Sequence, residues 1–570
     1  MPIDNGHQAD APVIIVGAGL SGLATALGVA LRGRRAIVLE AAELVGGAAA
    51  YSGGQVWVGG NHVQAREGID DDLDGTERYV RAIAHDDPEC LDEPAMLRWL
   101  HTAPEVVRYW EEVGAIRWAI IPGLADYHGE ADGALGEGRY LTNQVIDGSA
   151  LGEWRPRLRV SPFFPVGTTY ADMFEKGRRL TQVDSDSAAT GEHAGVPAFG
   201  VARGEAGPAV PAHADDPLTF GTGVVASFLS RVLQEDGIEI LTEHRVTELL
   251  TEDGTVVGVR AADREFRGPV VLATSTYDWD PDLVRDFLGL EPDEFGSVGP
   301  DSIRGDGIKL ARSVGGATAR IPATSVPILP GWQLPSGSGY GYGPEYAMPH
   351  CIIVDRTGRR YCDDSYWVDI VAKTLAPGDR HLPFFLIWDD EHRRDYGLGG
   401  TPPGGAYPGG WVESAPTLRE LAERLGVDGE ELERTVTSFN LHAARGEDPE
   451  YGRGANALVV KWTGDPHHEP SPVLGALERP PFHGMRLRFV GTAIGSSGVH
   501  IDPDGHVVND EGGPIDGLYA VGSCAALTTT GTGYNSGFAL GRGLTLAYLV
   551  AAELGGAPVP HSSTARSART

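Results

Sequence analysis

Cysteine is scarce in this chain of 570 residues, which contains four. They are scattered and form no C-x-x-C pair: Cys90, Cys351, Cys362 and Cys524. This spacing indicates neither a disulfide framework nor a zinc site, and no C-x-x-C-H stretch is present to attach a haem. We therefore predict a protein without a metal site that works in a reducing, cytoplasmic setting.

Basic residues are also few, 46 against 79 acidic ones, which gives a formal net charge of −33. So acidic a chain is a poor partner for nucleic acid, acidic membranes or polyanionic substrates. No apolar run is long enough to span a bilayer, and residues 1–11 are too polar for a signal peptide. The length predicts two to four domains, with polar tails at 1–11 and 560–570 and a long loop or insertion at 174–216.

The N-terminal stretch contains a strand, a turn, a helix and a second strand. The apolar run Val13–Val16 reads as a buried parallel strand, and a second apolar strand, residues 36–39, ends in Glu40. Between them three glycines stand at G-x-G-x-x-G spacing: Gly17, Gly19 and Gly22. They permit a tight turn, a close approach of pyrophosphate and helix–strand packing, while Glu40 can accept hydrogen bonds from ribose hydroxyls. The stretch predicts a dinucleotide site.

Later segments favour FAD as that dinucleotide. Gly46-Gly47 and Ser52-Gly53-Gly54 follow Glu40 closely, as expected where backbone is brought against a flat ligand. Near the C-terminus, a glycine-rich loop containing Tyr534 opens a helical pattern at 538–554. The positive end of that helix would favour negative charge on a reduced isoalloxazine. Together these segments predict an extended FAD.

The rest of the chain predicts an α/β fold in two domains. Short strands between residues 238 and 273 suggest an antiparallel meander with an Asp253-Gly254 turn. We predict a Rossmann-type, glutathione-reductase-like FAD-binding domain from residues 1–284 and 482–570, with an inserted α+β substrate or catalytic cap domain at 285–481. Within the first domain, Pro94 and Pro104 are each predicted to begin a helix.

Four segments carry a resemblance to a known family. In order, they read GAGLSGLATAL…VLEAAELVGGAAAYSGGQVW, VVLAT, GRRYCDDSYWVD and GLYAVGS…GYNSGFALGRGLTLAYL. In these segments the chain resembles the flavoprotein family of fumarate reductases and 3-ketosteroid dehydrogenases. The resemblance spans most of the chain. It implies FAD bound across the Rossmann domain and an active site between that domain and the cap.

The resemblance also implies a set of cofactor contacts. For the ADP half these are Gly17, Ala18, Gly19, Ser21, Gly22, Glu40, Ala41 and, through its backbone, Val246. For the ribityl chain and the ring they are Gly46, Gly47, Ala48, Ser52, Gly53, Gly54, Ala273, Gly522, Ser523, Ala539 and Leu540. Two positions depart from the family pattern: its A-T-G-G is Ala273-Thr274-Ser275-Thr276 here, and Ser523 stands where an acid or asparagine is common.

The branch of the family decides the chemistry. Fumarate reductases carry a proton-donating arginine in a segment that reads Pro344-Glu345-Tyr346-Ala347-Met348-Pro349 here, without arginine. The ketosteroid dehydrogenase branch places tyrosines over the flavin, and Tyr366, Tyr534 and Tyr127 are the matching candidates. Tyr534-Asn535-Ser536-Gly537 is similar to the Tyr-x-Ser-Gly of the 4(5α)-dehydrogenases.

Desaturation of a ketone removes an α-proton and a β-hydride. We expect Tyr534 and the Gly537 N–H to polarise the carbonyl. Tyr366 or Tyr127, with a pKa lowered by hydrogen bonding, would accept the proton, and Ser536 would assist.

The first prediction for function is therefore an FAD-dependent desaturase of a small apolar cyclic ketone, 3-ketosteroid-like. The alternative is an ene-reductase of the fumarate reductase type that acts on an enone or enoate. A third possibility, from another class, is a flavin-bearing binding subunit without turnover. No second nucleotide fingerprint is present for a nicotinamide, so we expect quinone, oxygen or a dye as the external electron acceptor. The sequence does not indicate an oligomeric state.

Overall fold

A computed structural model gives the fold. It describes residues 11–555 except 85–89, 163, 165–166, 173–215, 336, 338 and 400. The predicted insertion at 174–216 lies almost wholly outside the described residues, and so do both predicted tails, apart from residue 11.

The first domain is built on a six-stranded sheet. In spatial order its strands are His506–Val508, Pro514–Ala520, Val270–Leu272, Val13–Val16, Ala36–Leu39 and Ile238–Leu241. The last five run parallel, and the first is an antiparallel edge strand. Ile14 pairs with Ile37 on one side and Val270 on the other. A parallel sheet needs helices on its faces, which explains why its three central strands, Val270–Leu272, Val13–Val16 and Ala36–Leu39, are apolar without alternation.

Helices supply that cover. Leu20–Ala30 packs against both Phe220–Val232 and the C-terminal helix Phe538–Leu554, which in turn packs on Glu93–Glu112. The predicted C-terminal helix is confirmed with the bounds expected. The prediction of a helix start at Pro104 is wrong, because Asp92 caps one continuous helix and Pro104 lies inside it. Burial of the apolar face of this helix outweighs the missing N–H of the proline.

The predicted meander is confirmed for its hairpin, residues 246–261, whereas the predicted strand Ile238–Leu241 belongs to the parallel sheet. Val246–Glu252, Thr255–Ala261 and Arg264–Arg267 form a three-stranded antiparallel sheet. Its first turn places Asp253 at φ 50° and Gly254 at φ 84°, as an Asp-Gly hairpin requires.

The cap contains two four-stranded sheets. One has the order Phe295–Ser297, Arg488–Gly491, Leu329–Gln333 and Tyr340–Tyr342. The other has the order Cys351–Asp355, Phe384–Trp388, Phe482–Arg486 and Glu413–Ala415. The second sheet covers a separate apolar core that includes Ile352, Leu432 and Phe439. Because residues 482–491 pair only with cap strands, we propose that the cap ends after Gly491 rather than at 481.

Shorter elements complete the described fold. The remaining strands are Val56–Trp57, Trp118–Ile120, Tyr140–Asn143, Ile146–Asp147, Pro217–Leu218, Thr318–Ala319 and Gly498–Val499. The remaining α-helices are Gly47–Tyr51, His62–Glu67, Leu73–Ile83, Pro281–Leu288, Asp306–Ser313, Trp367–Thr374, Asp390–Tyr396, Leu418–Leu425, Gly429–Ala443 and Ala457–Thr463. The 3₁₀ segments are Gly148–Arg157, Ala323–Ser325, Pro344–Ala347, Gly522–Cys524 and Thr528–Thr530. No helix in the described part of the chain is long and apolar enough to cross a membrane.

An ionic contact fixes the C-terminal helix to the edge strand. His506 Nδ1 lies 2.8 Å from Asp502 Oδ2, and its Nε2 lies 2.8 Å from Glu553 Oε1. Hydrogen bonds to Asp502 and Glu553 raise the pKa of His506 from 6.5 to about 10. The imidazolium is therefore more stable in the folded chain than in the unfolded one.

Replacement of His506 by Gln should lower stability in a pH-dependent way. A raised folded pKa means that the contribution is complete below about pH 6.5 and is lost as the pH rises through about 10. We expect His506→Gln to lose about 1 kcal/mol of unfolding free energy near neutral pH. Urea unfolding near pH 6.5 and above pH 10 measures this difference, and a loss that stays constant with pH would contradict the assignment.

Candidate active site

A deep cavity opens at the carboxyl ends of the central parallel strands, where α/β folds bind their ligands. Its empty volume, including the space open to solvent, is about 2120 Å³. One end lies over the glycine-rich turn after Val16, and the other lies between the first domain and the cap.

Most of the cofactor residues predicted from the sequence meet in this cavity. Fifteen of them line it: Gly17, Gly19, Ser21, Glu40, Ala41, Gly47, Ala48, Ser52, Gly53, Val246, Ala273, Gly522, Ser523, Ala539 and Leu540. Four lie behind the wall: Ala18, Gly22, Gly46 and Gly54. The Gly46 N–H donates to the Ala18 carbonyl at 2.9 Å, so this second group holds the wall together.

The glycines of this turn are of two kinds. Some allow two backbone segments of the protein to come close together, and one leaves space beside the cavity for a ligand. A Cβ at Gly17 would lie 2.4 Å from the Ala273 carbonyl oxygen, and one at Gly22 would lie 2.0 Å from the Gly17 carbonyl oxygen. Gly19, by contrast, has no described atom within 4 Å of its Cβ position, although it lines the cavity. It also begins the helix Leu20–Ala30 without a side-chain cap. A bare helix N-terminus beside an open glycine fits a pyrophosphate group.

Glu40 is buried at the end of the second strand. Its Oε2 accepts a hydrogen bond from the Ala18 N–H at 2.8 Å, and its Oε1 accepts one from the Ala42 N–H at 2.9 Å. Burial raises the pKa of Glu40, while these two hydrogen bonds lower it. Glu40 thus fixes the turn on which the cofactor would lie, and its contact with a ribose stays a prediction.

Ser275 stands where the family pattern has glycine, and this substitution does not block the backbone conformation that the glycine would adopt. Ser275 adopts φ 65°, a left-handed conformation that the family's glycine would take without strain, and it lines the cavity with Thr274. A residue with a side chain pays roughly 1–2 kcal/mol for this conformation. The loop therefore keeps its course despite the substitution.

The cap end of the cavity is aromatic. Its lining comprises Tyr127, Phe164, Tyr170, Tyr342, Tyr346, Trp367 and Tyr534. The Tyr534 ring lies 6.3 Å from that of Tyr127 and 5.8 Å from that of Trp367, both edge to face. None of the described lining residues is Arg, Lys or His. The chamber therefore suits an uncharged, apolar ligand.

Ser536 links the polar groups of this chamber. Its hydroxyl donates to Gln55 Oε1 and forms hydrogen bonds with the hydroxyls of Tyr127 and Tyr534. Tyr170 donates to the Gly53 carbonyl at 2.8 Å and also meets Gln55. The sequence analysis missed Gln55, although it stands directly after the glycine turn.

The tyrosines are held neutral. Burial raises the pKa of Tyr127, and the hydrogen bond with Ser536 lowers it in part. Burial and then the charge of an ionised Tyr127 raise the pKa of Tyr534. That charge also adds to the raised pKa values of Tyr342 and Tyr366, whereas neither of them raises the pKa of Tyr127.

The prediction of a tyrosine with a lowered pKa is therefore wrong, because removal from water outweighs one hydrogen bond.

Tyr366 does not line the cavity, whereas its neighbour Trp367 does. The Tyr366 hydroxyl is buried and has no hydrogen-bonding partner in the described part of the chain. Tyr366 is the N-cap residue of the helix Trp367–Thr374, and Trp367, the first residue of that helix, faces the cavity. Of the predicted catalytic residues, the structure brings together Tyr127, Tyr534, Ser536 and Gly537.

Tyr342 and Tyr346 were not predicted as lining residues. Tyr342 belongs to the aromatic run 339–343, which reads as part of the cap without showing which ring faces inward. The strand Tyr340–Tyr342 and the 3₁₀ turn Pro344–Ala347 place these two rings on the cavity.

Comparison with known proteins agrees with this geometry. The family described as FAD binding domain matches residues 12–541. The chain belongs to that family. The predicted membership in the fumarate reductase and 3-ketosteroid dehydrogenase group, the FAD cofactor and the oxidoreductase class are confirmed.

Two curated relatives and one solved structure are similar over nearly the whole chain. A 3-oxosteroid 1-dehydrogenase of Mycobacterium tuberculosis (strain ATCC 25618 / H37Rv) is 28% identical over 95% of this chain and 98% of its own. A 4-oxocyclohexanecarboxylate 2-dehydrogenase of Sinomonas cyclohexanicum is 27% identical over 98% of this chain and 95% of its own. The solved structure is a 3-ketosteroid delta1-dehydrogenase from Sterolibacterium denitrificans in complex with 1,4-androstadiene-3,17-dione. It aligns with a TM-score of 0.79 at 23% identity, over 95% of this chain and 99% of that one, and so supports the fold.

Two alanine substitutions distinguish a glycine required for FAD binding from a glycine required for the stability of the protein. Gly19 has φ −75°, which alanine tolerates, and its Cβ position is open. We expect Gly19→Ala to leave the melting temperature of the FAD-free protein unchanged but to weaken FAD binding at least about tenfold, or about 1.4 kcal/mol. Gly22→Ala should destabilise the FAD-free protein itself by roughly 1–3 kcal/mol.

Thermal melting of the FAD-free protein and fluorescence titration with FAD make both measurements. Wild-type FAD affinity in Gly19→Ala would contradict a pyrophosphate at this turn.

Proposed function

We propose that this protein is an FAD-dependent dehydrogenase that desaturates a neutral, apolar cyclic ketone of the 3-ketosteroid kind. The observation that carries the proposal is the chamber of tyrosines without a described cationic side chain beside the FAD site. The names of the two curated relatives support oxidation of a ring carbon next to a ketone.

The reaction balances as the loss of one proton and one hydride from adjacent carbons. The α-C–H bond breaks and leaves its electron pair as an enolate, the β-C–H bond breaks with its electrons, and a carbon–carbon double bond forms. FAD, when bound, supplies the acceptor for the hydride, and an external electron acceptor later removes the two electrons.

Tyr534 is suited to hold the carbonyl oxygen. Its pKa is raised, so it is a neutral phenol that can donate a hydrogen bond to a developing enolate. We assign the Gly537 N–H to the same oxygen. Gly537 has φ 84°, and a Cβ there would lie 2.7 Å from the Trp57 nitrogen, so glycine is required at this position.

Tyr127 is suited to receive the α-proton. Its ring lies edge to face with that of Tyr534 at 6.3 Å, and its hydroxyl shares Ser536 with Tyr534. To stabilise a Tyr127 phenolate, the Ser536 hydroxyl would turn its one proton from Gln55 Oε1 to Tyr127. Tyr366 is not part of this proposal, since it lies off the cavity.

Substrate charge tests the proposed specificity. 4-Oxocyclohexanecarboxylate and its methyl ester have the same ring and differ in charge, and a buried carboxylate without a counter-ion is costly. Mixed anaerobically with the oxidised enzyme, the ester should bleach the flavin absorbance at least about 30-fold more efficiently than the acid, a difference of about 2 kcal/mol.

Larger neutral cyclic ketones, steroids included, serve as further substrates in the same assay. An enzyme that prefers the acid would contradict the neutral specificity. One that no ketone reduces, but whose reduced flavin an enone reoxidises, would contradict desaturation.

A pair of tyrosine variants tests the proton acceptor. Tyr127→Phe should keep FAD and lose about 10²-fold or more in the rate constant of flavin reduction, whereas Tyr366→Phe should stay within about threefold of wild type. Because the pKa of Tyr127 is raised, the residue is mostly protonated near neutral pH. Each rise in pH therefore increases its ionised fraction. The logarithm of the wild-type rate constant should therefore rise with a slope near one between about pH 7 and 9.

Stopped-flow absorbance measures these rates. The slope should disappear in Tyr127→Phe and persist in Tyr366→Phe, and the reverse pattern would restore Tyr366 as the acceptor.

A further inference from the structure

Asn535 stands between two residues of the chamber but faces the other way. Tyr534 and Ser536 line the cavity, whereas the Asn535 side chain is fully buried behind them. An asparagine without solvent contact must satisfy its amide through protein groups.

The amide of Asn535 meets three residues outside its own loop, besides a contact of 3.5 Å from Nδ2 to the Ser536 carbonyl oxygen. Its Oδ1 accepts hydrogen bonds from the Tyr127 backbone N–H at 2.8 Å and from the Tyr79 hydroxyl at 2.9 Å. Its Nδ2 donates to the Tyr140 hydroxyl at 2.7 Å. A backbone N–H can only donate, so the atom that faces Tyr127 is the oxygen, and the orientation of the amide is fixed.

Residues 124–130 contain no helix or strand, so the segment of Tyr127 is held by the backbone hydrogen bond from the Asp126 N–H to the Leu135 carbonyl at 3.0 Å and by side chains. Asp126 accepts hydrogen bonds from Trp57 Nε1 at 2.7 Å and from Arg139 at 2.8 Å. The His128 ring lies 3.2 Å from the Tyr534 carbonyl oxygen. Between these two neighbours, Asn535 holds the backbone of Tyr127 itself.

Loss of the Asn535 amide would leave the Tyr127 N–H and the Tyr140 hydroxyl unpaired, and it would leave the Tyr79 hydroxyl with only the His128 N–H at 3.4 Å. Because buried polar groups without partners are unfavourable, the segment would shift until they found new ones. A displacement of about 1 Å in a reacting group can cost about 10²-fold in rate.

We propose that Asn535 is a positioning residue that sets the Tyr127 hydroxyl at the distance from Tyr534 and Ser536 required for removal of the α-proton. The inference rests on the proposed function and extends it, since Asn535 touches neither substrate nor cofactor. It acts through the backbone of Tyr127, whose side chain takes the proton from the α-carbon.

Asn535→Leu removes the amide and keeps the same number of side-chain heavy atoms in the same branched arrangement. We expect it to retain FAD and to bind the unsaturated product with a dissociation constant within about twofold of wild type. The rate constant of flavin reduction should fall about 10²-fold. With substrate deuterated at the α-carbon the kinetic isotope effect should rise, and with substrate deuterated at the β-carbon it should fall, because proton removal becomes the slower step.

Asn440→Leu is the matched control. Asn440 makes two hydrogen bonds to the backbone of Leu477 in the cap, at 2.8 and 2.9 Å, and does not line the cavity. Loss of a half-buried amide at that position should leave both isotope effects and the rate constant within about twofold of wild type. If Asn535→Leu does not retain FAD, Asn535→Ser serves instead, because a hydroxyl too short to reach Tyr127 leaves room for water. The same isotope pattern is expected there.

Three outcomes decide the proposal. A slower variant with the expected shift in isotope effects supports it. A variant as fast as wild type, or one that is slower with unchanged isotope effects, overturns it and leaves Asn535 a structural residue. If wild-type flavin is not reduced by any ketone, the proposed function fails first, and this inference fails with it.

Discussion

The structure depends on the close approach of backbone segments at the carboxyl edge of the central sheet. Gly17 passes the Ala273 carbonyl, and Gly22 lies against the carbonyl of Gly17, at distances that no side chain allows. Gly522 comes as near to Ser21, where a Cβ would lie 2.7 Å from the hydroxyl. These contacts join the N-terminal turn, the strand after the meander and the C-terminal strand into one cradle. The cofactor site is therefore a property of the whole sheet and not of the first motif alone.

No cationic side chain stands among the described residues that line this cradle and the chamber beside it. Elsewhere two groups of buried arginines pair with carboxylates: Arg139 lies 2.7 Å from Asp71 and 2.8 Å from Asp126, and in the cap Asp364 pairs with Arg360 and Arg453. The chamber beside the FAD site has phenols and a hydroxyl in place of described cations. In such surroundings a phenol stays protonated, which makes it a good donor to a carbonyl oxygen and a poor site for a carboxylate.

The sequence was sufficient to predict the cofactor end of the site and insufficient for the chemical end. The glycine spacing, Glu40 and the C-terminal helix follow local rules of strand, turn and helix N-terminus, so they can be read in order along the chain. The sequence could not show which of the two rings at 366 and 367 faces the cavity. A helix that starts one residue earlier or later exchanges Tyr366 and Trp367 at that position. Gln55 and Tyr170 reach the chamber through contacts over 481 and 117 residues, which local patterns do not encode. The direction of the tyrosine pKa shifts depended on burial, which the motifs did not show.

The loop 534–537 connects the cofactor end of the site with its chemical end. Tyr534 and Ser536 line the cavity, and Asn535 between them faces the protein. An apolar side chain at 535 would leave the Tyr140 hydroxyl and the Tyr127 N–H without a partner and the Tyr79 hydroxyl with only the His128 N–H at 3.4 Å, and a charged one would need a counter-ion there. An uncharged amide, with one acceptor and one donor group, satisfies all three. Gly537 then stands at the start of the last helix, which packs on the helix that follows the first glycine turn. The residues that hold the cofactor and those suited to the proton chemistry are thus connected through four consecutive positions, and a shift of register by one residue there would separate them.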